Sequence, residues 1–72
     1  MEVRGTEDPG MLLRGTMFIV EMLDRSGRDE NSLDMSIERL MATCWRRFET
    51  NGGGTLENLL DIIGQELKGH LE

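Results

Sequence analysis

The sequence of 72 residues contains one cysteine, one proline, one tryptophan, two phenylalanines, one histidine and no tyrosine. A lone Cys44 excludes an internal disulfide, and no Cys/His cluster exists to hold a structural zinc. No apolar run approaches the 18 or so residues that a membrane-spanning helix needs; the longest uncharged one is Met17 to Val20. No basic start followed by an apolar stretch marks a signal peptide, so a soluble, reducing, cytoplasmic setting is expected. Basic residues are also scarce. Eight of them stand against fourteen acidic ones, a net charge of −6: −3 over residues 1–30, zero over 31–50 and −3 over 51–72. Such a balance repels a phosphate backbone, so nucleic-acid binding is not expected.

What is present is a chain for one small domain, 38% hydrophobic and 31% charged, the balance of a soluble folded protein. A chain this short buries only about 60% of the surface it exposes when unfolded, which leaves a lone monomer marginal. With disulfide and metal excluded, self-association or a protein partner is the remaining staple.

The clearest periodicity lies between Asn31 and Asn51. Leu33, Ile37, Leu40, Met41, Cys44 and Phe48 fall at i, i+4, i+7, i+8, i+11 and i+15, one stripe of an α-helix. Asn31 or Ser32 is the expected N-cap, Asp34 puts negative charge in the first turn, Arg46 and Arg47 put positive charge in the last, and Gly52 stops the helix. Before it, Asp8-Pro9 is a helix-start signal, and residues 11–25 are apolar around more than half a helical wheel. A helix so apolar calls for burial on two sides. Gly15 and the β-branched Thr16, Ile19 and Val20 make a short strand over 16–20 the competing expectation. Ser26-Gly27 ends this element, and residues 1–8 read as a flexible lead-in. After three glycines, Thr55 caps a third helix whose apolar set is Leu56, Leu59, Leu60, Ile63 and Leu67. Leu71-Glu72 reads as a vector-derived tail without weight in the fold.

No residue pattern carries catalysis, a cofactor or a metal. Gly52-Gly53-Gly54 before a helix lacks the preceding strand and following Lys-Ser/Thr of a phosphate loop, and reads as a turn. Ser32 in Asn31-Ser32-Leu33-Asp34 is similar in place to the serine of the Asp-Ser-Leu motif that carries phosphopantetheine in acyl carrier proteins, but the connections here are short and a capping role is favoured. His70 reads as a solvated tail residue and Cys44 as a small buried hydrophobe. Trp45 to Leu56 resembles an EF-hand in outline, with aromatic residues before a loop starting at Glu49, Asn51 third, Gly54 sixth and Leu56 eighth. The second and third helices resemble the first hand of small EF-hand proteins. Gly53 in the fifth place and Leu60 in the twelfth remove the oxygens calcium requires, so the resemblance implies a helix pair without metal.

The expected fold is all-α: a small three-helix domain over residues 9–70, with helices near 9–25, 31–51 and 55–69. The last two form an antiparallel helical hairpin, and dimerisation completes the domain. The expected function is that of a non-enzymatic protein-interaction module, an adaptor, regulator or inhibitor, acting as a homodimer or with another protein. The alternatives are an acidic inhibitor or nucleic-acid mimic that occupies a basic surface, and the degenerate EF-hand-like pair. Interface residues are sought in Leu13, Met17, Val20 and Leu23 of the first helix. Met41, Trp45, Arg46 and Phe48 of the second are the other candidates, since Trp and Arg are enriched at binding hot spots and methionine adapts to varied partners.

Overall fold

The computed structural model describes residues 8–71, so all but Asp8 of the expected lead-in, and Glu72, lie outside the described residues. Three α-helices follow one another: α1 (Pro9–Arg25), α2 (Ile37–Thr50) and α3 (Leu56–His70), with a single 3₁₀ turn, Glu30–Ser32, between the first two. The described chain is all-α, and residues 16–20 are helical rather than a strand.

Local chemistry sets the ends of α1. The Asp8 carboxylate accepts from the N–H groups of Gly10 at 2.9 Å and Met11 at 3.4 Å, and Pro9 occupies the first helical position, where its missing donor costs nothing. At the other end Gly27 takes a φ of +70°, its N–H donates to the Asp24 carbonyl, and the Arg28 N–H reaches back to Leu23 at 2.8 Å. These are the paired bonds of a Schellman stop. α2 ends the same way: Gly52 at φ +94° donates to Glu49, and Gly53 donates to Phe48 at 2.8 Å. Thr16, β-branched inside α1, satisfies its hydroxyl on the Leu12 carbonyl at 2.9 Å.

The start of α2 differs from the periodic reading. The helix begins at Ile37, capped by the Ser36 hydroxyl, which accepts from the Arg39 N–H at 3.2 Å; Asn31 and Ser32 belong to the 3₁₀ turn instead. Leu33 is extended and forms an isolated antiparallel bridge with Leu71, while the Asp34 N–H donates to the His70 carbonyl at 3.1 Å. Leu33 is still buried. It reaches the core from an extended segment, and its position four residues before Ile37 mimics another helical turn. Leu71 therefore belongs to the fold, packed against the core, and is no inert tail.

The core gathers Ile19 and Leu23 from α1, Leu40, Met41, Cys44, Trp45 and Phe48 from α2, and Leu59, Ile62, Ile63 and Leu67 from α3, with Leu33. α1 comes close because of Gly15. A Cβ there would lie 2.9 Å from both Ile63 Cδ1 and Met41 Cε.

Candidate functional site

Each helix has a buried stripe, and α1 has a second apolar stripe on its outside. Leu13, Met17 and Val20 are 62%, 59% and 50% exposed, the large hydrophobic residues left most open to solvent among the described residues. Their spacing, i, i+4 and i+7, sets them in line along the helix, on a different face from Gly15, Ile19 and Leu23. Beside the line, α1 and α3 enclose a shallow groove of about 680 Å³. Met17, Phe18, Val20, Leu56 and Leu60 supply its apolar lining, and Arg14, Glu21 and Asp24 its charged edge. Full burial of a large aliphatic side chain contributes about 1.5–3 kcal/mol, so three half-exposed ones in a row are a sizeable unused driving force for association.

The other expected interface residues lie elsewhere. Leu23, Met41, Trp45 and Phe48 are buried in the core, and Arg46 is exposed on α2. The Trp45 and Phe48 rings pack at a centroid distance of 5.1 Å, tilted by 49°. The Trp45 Nε1–H is buried and has no acceptor among the described residues. A second cavity of about 510 Å³ lies over this region, between the start of α1 (Asp8, Met11) and the glycine turn.

Polar chemistry concentrates where the end of α3 meets the segment before α2. His70 Nδ1–H donates to Asp34 Oδ1 at 2.9 Å, and Nε2 lies 3.5 Å from Glu66 Oε1. Arg47 Nη1 donates to Glu66 Oε2 at 2.7 Å and Nη2 to Gln65 Oε1 at 3.3 Å. His70 is thus no solvated tail residue, because Asp34, outside α2, is placed to receive it. This row ties elements together, but no group of three or more His, Cys, Asp or Glu among the described residues is arranged to hold a metal ion.

Cys44 is fully buried, and its thiol is raised from 9.0 to about 11, chiefly by that burial and further by nearby Glu66, against an opposing effect of Arg47. A thiol so placed is a weak nucleophile. The segment that resembles an EF-hand loop is mostly helix: Glu49 and Thr50 complete α2, residues 56–60 open α3, and five residues link them. Ser32 is half-buried in the 3₁₀ turn. No helix among the described residues is long and apolar enough to cross a membrane.

Compared with protein-family models, curated proteins and solved structures, the chain finds no match. The surface itself therefore carries the functional reading. The signal for it in the sequence was the excess apolar width of residues 11–25. Leu56 and Leu60, assigned to the core stripe of α3, complete the groove only because α1 leaves that side of α3 partly uncovered.

Proposed function

We propose that this protein is a small, non-enzymatic protein-interaction module that associates through the outer face of α1, with a second copy of itself as partner. The observation that carries the reading is the exposed line Leu13, Met17 and Val20 beside the α1/α3 groove. The small size of the chain supports it as well, since association adds apolar burial that one copy lacks. The other faces present charged residues, and α2 and α3 are read as an antiparallel hairpin that serves as scaffold. Support for the hairpin comes from its two ends: a five-residue link joins α2 to α3, and Leu71, after α3, pairs with Leu33, before α2. The single free thiol of Cys44, deeply buried, suits a reducing, cytoplasmic setting.

Sedimentation equilibrium over a dilution series tests the proposal. The wild-type chain is expected as a dimer that dissociates on dilution. Met17→Gln with Val20→Gln is expected as a monomer of unchanged helicity, because both side chains already face water and the core does not use them. A wild-type chain that stays monomeric at the highest concentration reached would sink the reading.

A further inference from the structure

The outer face of α1 is its own complement in charge as well as in the spacing of its apolar residues. Leu13, Met17, Val20 and Asp24 follow one another at spacings of four, three and four, the seam of a left-handed helix pair. Arg14 and Glu21 each stand one residue past a seam position, so both flank the seam on the same side, seven residues apart. Neither is well occupied. Arg14 has no hydrogen-bond or ion-pair partner among the described residues, and Glu21 meets only Arg25 at 3.7 Å, with both side chains mostly exposed.

When two such seams run antiparallel, residues flanking on the same side face each other. Met17 of one copy then packs beside Val20 of the other, and that register brings Arg14 opposite Glu21 at both ends of the contact. A parallel arrangement brings Thr16, not Arg14, towards Glu21 and leaves the cation unpaired. The antiparallel pairing is isologous and therefore closes at two copies. α1, 17 residues and so about 25 Å long, provides the seam. Phe18, Leu56 and Leu60 widen the patch towards the roughly 800 Å² per copy of a standard interface. Repulsion between two chains of −6 is limited at physiological salt, where charges are screened over about 8 Å.

We propose that this face docks α1 of a second copy in antiparallel register, with Met17 against Val20 at its centre and two symmetric Arg14–Glu21 ion pairs fixing the alignment. The inference rests on the reading of α1 as an interface and adds the orientation and the residues that set it.

The test is charge reversal read by sedimentation equilibrium. Arg14→Glu and Glu21→Arg are made separately, studied alone and as an equimolar mixture, with helicity checked by circular dichroism. Each variant alone confronts like charges at both pairs, and its self-association is expected to weaken about tenfold or more. The mixture restores opposite charges at both positions and is expected to associate about as tightly as wild type. Reversed variants that self-associate like wild type, or a mixture no tighter than its components, overturn the register. If Met17→Gln with Val20→Gln still dissociates the wild-type dimer in that case, the interface stands and only its alignment is wrong. A monomeric wild-type chain overturns both.

Discussion

Burial at Cys44 makes the stability of the whole chain depend on alkaline pH. The thiol is raised from 9.0 to about 11 in the folded state by desolvation, with Glu66 adding to the effect. The folded state therefore favours the protonated form. Below pH 9 the thiol is protonated whether the chain is folded or not, and its contribution is constant. Between pH 9 and 11 the unfolded chain loses the proton while the folded one keeps it, so stability falls as pH rises through that window. A shift of two units corresponds to about 3 kcal/mol in total, as an order of magnitude. With no tyrosine in the chain, no phenol titrates there to obscure the effect. Urea unfolding at pH 8 and pH 10.5 is expected to show most of this loss, about 2 kcal/mol. The Cys44→Ala variant, less stable at pH 8 for want of the buried sulfur, is expected to show a much smaller one. Parallel pH profiles for the two proteins would rule the explanation out.

The helices show which signals are local enough to be read from sequence. Asp8-Pro9, Ser26-Gly27 and Gly52 mark ends of α1 and α2 because capping and the positive-φ stop depend on residues a few positions apart. The start of α2 was not legible in this way. Leu33 sits four residues before Ile37 and continues the helical period, and what holds it extended is its bridge to Leu71, far along the chain. The burial of three interface candidates has a related reason: Trp45, Phe48 and Met41 are residue types shared by cores and hot spots, and only the packing of α1 and α3 over them decides which. Glycines in helices pose the same problem and allow a test by comparison. Gly15 and Gly64 both lie inside helices, where glycine costs about 1 kcal/mol relative to alanine. At Gly64 a Cβ would meet nothing within 4 Å, so Gly64→Ala is expected to stabilise by about that amount. At Gly15 a Cβ would press on Ile63 Cδ1 and Met41 Cε at 2.9 Å, the far ends of two flexible side chains, which must shift to admit it and so take back part of the helical gain. Gly15→Ala is therefore expected to stabilise less than Gly64→Ala. Denaturant midpoints that rise equally for both variants would show that α1 is not held so close.

At the scale of the whole molecule, one small core has to hold three helices and a segment that is not helical. Leu33 enters that core from outside every helix, and beside it the Asp34–His70 contact at 2.9 Å and the Glu66–Arg47 pair at 2.7 Å join the segment before α2 to α3, and α3 back to α2. Trp45 lies a full two turns into α2, so its fluorescence reports on a different part of the core from the one Leu33 fills. Leu33→Ala leaves every helix its caps and its own hydrogen bonds, and the variant is expected to keep native helicity. It removes a buried leucine, with an expected cost of about 3 kcal/mol, a large share of the roughly 4–11 kcal/mol typical of a chain this long. Unfolding should be followed by circular dichroism and by Trp45 fluorescence at a protein concentration low enough to suppress association, since a dimer would add its own stability to both. If the core is one cooperative unit, both transitions shift together to lower urea by the same amount. A fluorescence transition that stays in place while helicity is lost early would mean that the bridge to Leu71 closes a separate, weaker end of the molecule, and that α2 and α3 hold their packing around Trp45 without it.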